Sequence, residues 1–148
     1  VFGAQPQQKR RYVSGTSDEN DKYIIIDASI ATSGNELYIL PLTTGHELDT
    51  NVDPNLLKPI ITGFDADYCY VDLYDDILYL TTNDETPNNK LISINLKKWL
   101  QNPISLNDAV NTHLIRDDKS ANDIVTTLIP ESDSVLEIET SGKYFIAN

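Results

Sequence analysis

Apolar and polar residues alternate along most of the chain in short runs, and each run is closed by residues that favour turns. Tyr12-Val13-Ser14-Gly15-Thr16 leads into the turn Asp18-Glu19-Asn20-Asp21, after which Tyr23 to Ala28 reads as a buried strand. Thr32-Ser33-Gly34-Asn35 carries turn chemistry, because Gly and Asn tolerate positive φ and Ser bonds to nearby backbone. Glu36 to Leu42 alternates again. Beyond a polar loop with Pro54 and Pro59, Lys58 to Thr62 supplies a fourth short strand. The same order then recurs: Ala66 to Asp72, a turn at Tyr74-Asp75-Asp76, Ile77 to Thr82, a loop through Pro87-Asn88-Asn89, and Lys90 to Leu96.

The recurrence has a fixed period. Asp21-Lys22-Tyr23-Ile24-Ile25-Ile26 lies 54 residues before Asp75-Asp76-Ile77-Leu78-Tyr79-Leu80, and Asn35-Glu36-Leu37-Tyr38-Ile39-Leu40 lies 54 before Asn89-Lys90-Leu91-Ile92-Ser93-Ile94. A third copy begins near the end, where Gly142-Lys143-Tyr144-Phe145-Ile146 echoes Asp21 to Ile25. Short strands with clustered turn residues also fit a generic sandwich, but a constant offset between four-strand units favours a propeller. The fold expected is therefore all-β: a partial β-propeller of about two and a half four-stranded antiparallel blades. The first blade is expected over residues 12–62, the second over 66–129, and the start of a third over 134–148.

The second unit is longer than the first because the strand pattern stops between Lys97 and Asn122. Ser105 followed by apolar Leu106, Ala109, Val110 and Leu114 has a cap and helical spacing, so a helix over 105–114 is expected there. Trp99 and Leu100 are expected to pin a first turn against the blade edge. Residues 97–122 thus read as a short helical insertion between the third and fourth strands, and Val125 to Ile129 completes the blade.

Charge narrows the choice of partners. The 23 acidic residues outnumber 11 basic ones, giving a formal net charge of −12, which argues against a nucleic-acid backbone as partner. Lys9-Arg10-Arg11 is too short a basic cluster to change this and reads as a solvated lead-in to the first strand. No apolar run is long enough to span a membrane. No charged segment followed by an apolar one marks a signal peptide within these residues, which leaves the compartment open between cytoplasm and periplasm. The sequence starts at Val1 and contains no methionine, so it is expected to be part of something longer. Cys69 is the single cysteine; no intrachain disulfide or cysteine-rich metal cage can form, and within the run Tyr68-Cys69-Tyr70-Val71 a buried, inert thiol is expected.

Catalytic chemistry is sparse. No G-x-S-x-G elbow is present, and Ser17 in Ser14-Gly15-Thr16-Ser17 fits the turn before Asp18 better than a nucleophile. His46 and His113 are the only histidines, and neither has the partner at i+4 that a helical metal site needs. Asp65, Asp67, Asp72, Asp75 and Asp76 are dense enough to suggest calcium, but their spacing is not that of a calcium loop. Alternation sends Asp65 and Asp67 to one solvent-facing side, where acidic residues blunt strand edges. Asp117-Asp118, in the insertion, is a weaker candidate still. Tyr23, Tyr38, Tyr68, Tyr70, Tyr74 and Tyr79 recur at strand positions and belong by default to the core or a blade interface. The residues themselves therefore nominate no catalytic group, no cofactor and no metal.

Three segments resemble one family. Asp27-Ala28-Ser29-Ile30-Ala31-Thr32-Ser33-Gly34-Asn35-Glu36-Leu37-Tyr38, then Tyr79-Leu80-Thr81-Thr82-Asn83-Asp84-Glu85-Thr86-Pro87-Asn88-Asn89-Lys90-Leu91-Ile92, then Leu128-Ile129-Pro130-Glu131-Ser132-Asp133-Ser134-Val135-Leu136-Glu137 are similar, in the same order, to segments of prolyl oligopeptidase propellers. The resemblance implies a run of blades from a seven-bladed propeller, about the third to the start of the fifth. That propeller caps an α/β-hydrolase domain with Ser, Asp and His, so that oligopeptides reach the serine and are cut after proline. The implied partners are the remaining blades, the hydrolase domain and an oligopeptide substrate. The triad lies outside these residues. By the same resemblance Ala31, Thr32 and Ser33 are the positions expected to face the substrate. The cysteine that some relatives carry in this loop is missing, and the 97–122 insertion departs from the family pattern. A stand-alone propeller-like module binding a protein or glycan is the alternative. Either way, two open blade faces make self-association of the isolated chain an expectation.

Overall fold

Two four-stranded antiparallel sheets follow one another along the chain, and a two-stranded ribbon begins a third, in a computed structural model that describes residues 11–42, 54–108, 113–116, 124–141 and 144–147. The first sheet consists of β1 (Tyr12–Ser17), β2 (Tyr23–Ser29), β3 (Asn35–Pro41) and β4 (Lys58–Ile61), in that spatial order. The second consists of β5 (Tyr68–Tyr74), β6 (Ile77–Thr82), β7 (Lys90–Asn95) and β8 (Val125–Ile129), again in chain order. β9 (Ile138–Ser141) and β10 (Tyr144–Ala147) pair as a hairpin. Consecutive strands that neighbour in space, four to a sheet, are the architecture of propeller blades, and the sheets do not close into a ring.

The repeat has structural counterparts more specific than the strands. The turn residues Asp21 and Asp75, 54 positions apart, both sit at left-handed φ, 52° and 50°. Both outer ladders slip register at the same repeat position, between Leu37 and Tyr38 in β3 and between Leu91 and Ile92 in β7. In the first turn the buried carboxylate of Asp18 accepts from the backbone amides of Asn20, Lys22 and Tyr23, satisfying donors that the turn would otherwise strand.

One continuous apolar cluster joins the two sheets. Tyr23, Ile25, Leu37, Ile39, Ile60 and Ile61 of the first sheet pack with Tyr68, Leu73, Leu78, Leu80, Ile92 and Ile94 of the second. The seam is clasped at both ends by hydrogen bonds. At one end the side chain of Asn35 spans the backbone of Tyr68, its Oδ1 accepting from the amide at 2.7 Å and its Nδ2 donating to the carbonyl at 2.9 Å. At the other, the Tyr23 hydroxyl donates to Asp76 Oδ1 at 3.0 Å, beside an ion pair from Lys22 to the same oxygen. Phe145 of β10 lies edge-on to Tyr79, with centroids 4.8 Å apart, and carries the third unit onto the second.

The clasp at Tyr23 is sensitive to alkali. Burial, then the bond to Asp76 and the charges of Asp76 and Asp18, push the phenol up to about 12 from its ordinary 10. Folding thus favours the neutral phenol. Its contribution is intact below pH 10 and is lost as pH rises from there through about 12. The urea midpoint of the wild type should fall more between these two pH values than that of Tyr23→Phe; parallel falls would remove Tyr23 from the account.

The insertion is built differently from its expected 105–114 helix. α1 (Leu96–Trp99) is a single helical turn capped by Asn95, whose Oδ1 accepts from the Lys98 amide at 2.9 Å. Residues 106–108 form a turn and bend, and helix α2 covers only His113–Arg116. The reason is tertiary. The Leu106 amide donates to the Ile60 carbonyl at 2.9 Å, and the Asn107 side chain clamps Thr62, accepting from its amide at 2.9 Å and donating to its carbonyl at 2.7 Å. Ser105 bonds the Thr62 hydroxyl at 2.7 Å rather than capping a helix. The insertion of the second sheet therefore continues the backbone bonding beyond the outer edge of the first, which keeps that edge from pairing elsewhere. Leu106 and Leu114 do reach the core; Ala109, Val110, Asp117 and Asp118 lie outside the described residues.

Candidate functional site

The loop between β2 and β3 holds Ala31, Thr32 and Ser33, all three exposed. They rim a shallow, wide-mouthed depression of about 200 Å³, also lined by Asp27, Ser29, Gly34, Asn35, Asp67 and Cys69. Its floor comes from both sheets: Asp27, Ser29 and Asn35 from the first, Asp67 and Cys69 from the start of the second.

The loop takes its shape at its root. Gly34 has φ +76°, and a Cβ there would stand 2.0 Å from the Phe64 carbonyl oxygen, so the close approach of two backbones requires glycine. The Gly34 amide donates to Asp67 Oδ1 at 2.6 Å and the Asn35 amide to the Ala66 carbonyl at 3.2 Å. Asn35 Nδ2 also bonds Asp27, so one side chain ties the loop's two flanking strands to the next sheet. Asp67 is fixed in turn by Asn83 at the end of β6: its amide donates to Asn83 Oδ1 at 2.8 Å, and Asn83 Nδ2 donates to its Oδ2 at 3.0 Å.

Beside this loop lies a second polar group. Arg11 pairs with Glu36 at 2.6 Å, with the two side chains only 13% and 10% exposed. Its guanidinium lies 5.3 Å from the centre of the Phe64 ring. Glu36 also accepts from the Tyr38 hydroxyl at 2.8 Å and the Gly63 amide at 3.3 Å. Burial, followed by the bond to Glu36, raises the Tyr38 phenol, with Arg11 opposing. Arg11 is thus a structural cation rather than part of a solvated lead-in; Lys9 and Arg10 lie outside the described residues.

Cys69 also departs from its expected place. It is exposed, because its neighbour Tyr68 is buried and alternation along β5 turns the next side chain outward. Local burial of the sulfur, then the charges of Asp67 and Asp27, push its thiol up, with a bond from Thr81 opposing. A thiol held protonated is a poor nucleophile. None of the hydroxyls of Ser29, Thr32 and Ser33 is bonded to a basic side chain among the described residues. The depression offers hydrogen-bonding groups to a ligand and no activated nucleophile.

The acidic group singled out from the sequence is dispersed. Asp67 holds Gly34, Asp72 accepts from the Leu73 amide, Asp76 holds Tyr23, and Asp65 and Asp75 are exposed. Among the described residues no three Asp, Glu, His or Cys side chains gather as a metal site. His46 and the side chain of His113 lie outside the described residues. Of the tyrosines, Tyr23 and Tyr68 are core, Tyr38, Tyr70 and Tyr79 are half-buried, and Tyr74 is exposed. Sequence reasoning missed Asn35 and Asn83: both look like turn residues, and their partners lie 33 and 16 positions away.

Comparison with known proteins agrees with this architecture. The family described as the prolyl oligopeptidase N-terminal β-propeller domain matches residues 1–148. A prolyl endopeptidase from Elizabethkingia meningoseptica is 33% identical over 138 residues, 93% of this chain. Its counterpart from Elizabethkingia miricola is 38% identical over 94 residues, 64% of this chain. The chain spans only 15% and 12% of the lengths of these relatives. Among solved structures, one from a structural and mechanistic analysis of two prolyl endopeptidases superposes with a TM-score of 0.67 at 20% identity, over 99% of this chain and 18% of that one. Prolyl oligopeptidase B from Galerina marginata, bound to a 35mer hydrolysis and macrocyclization substrate, gives 0.69 at 19% identity, over 97% of this chain and 17% of that one. At these identities the structures speak to the fold.

Proposed function

Since this chain belongs to the prolyl oligopeptidase N-terminal β-propeller family, we propose that it serves as a non-catalytic run of blades filtering access to a peptidase active site. In the full gene product the remaining blades pack on its two ends, and the propeller covers an α/β-hydrolase domain whose Ser, Asp and His cleave oligopeptides after proline. The observation that carries this reading is the pair of consecutive four-stranded sheets with a third begun, unclosed. Large apolar side chains stay exposed toward both chain ends, Tyr12 and Val13 in β1, and Tyr144 and Ile146 in β10. Such side chains need neighbours.

On the same reading Ala31, Thr32 and Ser33 face the substrate. Their exposure and their place on the rim of a polar depression support this, and Asp27 and the hydroxyls there suit peptide N–H groups. The full gene product should cleave a proline-containing chromogenic peptide and be blocked by a serine-directed phosphonate. Residues 1–148 alone should give no turnover. A full product inert toward both reagents, or hydrolysis by the isolated segment, would falsify the proposal.

A further inference from the structure

We propose that Asp67 is a positioning residue for the 31–33 loop, setting how that loop meets a peptide substrate. The inference rests on the substrate-facing reading of Ala31, Thr32 and Ser33 given above. These three side chains make no hydrogen bond among the described residues. The loop's geometry is therefore inherited from its ends. One end is the pairing of Ser29 with Asn35 in the sheet ladder. The other is Gly34, whose left-handed backbone is pressed against Phe64 and whose amide is held by Asp67 Oδ1 at 2.6 Å.

Asp67 does not belong to the sheet that carries the loop. It stands one residue before β5, the first strand of the next sheet, and is anchored by reciprocal bonds with Asn83, from its own amide at 2.8 Å and to its Oδ2 at 3.0 Å. A charged acceptor shared between two N–H donors is stronger than a neutral one. The chain of contacts runs from Asn83 through Asp67 to Gly34, so the loop of one sheet is indexed to the strand ends of the next. A rotation of one sheet against its neighbour would move Asp67 and with it the loop. Asp67 touches no reacting group; it acts through Gly34.

The bonding polarity gives a specific test in the full gene product. Asp67→Asn preserves an acceptor for Gly34 but sets an amide donor against the amide of Asn83. Pairing it with Asn83→Asp restores the interaction with donor and acceptor exchanged. Three variants, Asp67→Ala, Asp67→Asn and the double exchange, are compared with the wild type by hydrogen exchange of the 30–34 segment and by kcat and KM on a proline-containing oligopeptide. Asp67→Ala should speed exchange at Gly34 about tenfold and raise KM about tenfold with kcat within about twofold. Asp67→Asn should lie between, and the double exchange should recover both readouts. Unchanged exchange at Gly34 in Asp67→Ala, or no recovery in the double exchange, overturns the positioning role. Faster exchange with an unmoved KM overturns instead the substrate-facing reading beneath it.

Discussion

Replacing Gly34 by alanine is expected to destabilise the protein by about 3–5 kcal/mol, combining the cost of a left-handed L-residue with that of forced overpacking. The new methyl would stand 2.0 Å from the carbonyl oxygen and 2.5 Å from the carbonyl carbon of Phe64. A flexible side chain could swing aside; peptide backbone cannot. The loop has no freedom to retreat either, because the amides of Gly34 and Asn35 are tied to Asp67 and Ala66 on the far side of the seam. Urea unfolding followed by tryptophan fluorescence reads the change. Ser33→Ala, at an exposed neighbour, should stay within about 0.5 kcal/mol of the wild type. A Gly34→Ala variant that unfolds within about 1 kcal/mol of the wild type would show that the two backbones do not meet as described.

Trp99→Ala should cost about 3–5 kcal/mol by a different route, the cavity left by a large, fully buried ring. Trp99 closes the α1 turn, and its indole Nε1 donates to the Ile104 carbonyl at 2.8 Å. The ring packs in one cluster with Leu96, Leu106 and the strands of both sheets. The segment it anchors is the one that reaches back to Ile60 and Thr62, so its loss should also loosen the outer edge of the first sheet. Trp99→Phe keeps most of the ring but orphans the Ile104 carbonyl, for an expected loss of about 1–3 kcal/mol. Circular dichroism during urea titration measures both variants, since the chain's single tryptophan is gone. Equal stability of Trp99→Ala and the wild type would contradict the packing of the insertion.

The elements that could be read from the sequence are those whose causes are local. Alternation and turn chemistry located the strands of both sheets, because a strand between Asp-, Asn- and Gly-containing turns needs no distant information. The repeat was visible because turn residues recur in it: Asp21 and Asp75 both take a left-handed φ, although the five-residue connection between β1 and β2 shortens to two residues between β5 and β6. What escaped was decided by partners far along the chain. The helical spacing after Ser105 lost to Asn107, which reaches back 45 residues to Thr62. Arg11 reads as one more charge in a basic run until Glu36, 25 residues on, closes over it. Cys69 shows how one step of alternation settles burial: the apolar letters on both sides gave no parity, and Tyr68 took the inward face. The turn at Thr32-Ser33-Gly34-Asn35 was legible from its own residues, whereas a substrate-facing role for Ala31, Thr32 and Ser33 comes only from resemblance and stands as a proposal. The loop's anchor, Asp67, was read as an exposed acid because Gly34 and Asn83 are remote in sequence.

The access-filter role is tested most directly by the size dependence of cleavage. One proline-containing sequence is presented to the full gene product twice, once as a free short peptide and once within a stable folded protein that a small open-site protease cuts there. Turnover of the free peptide and resistance of the folded protein are expected. Equal cleavage of both would contradict it.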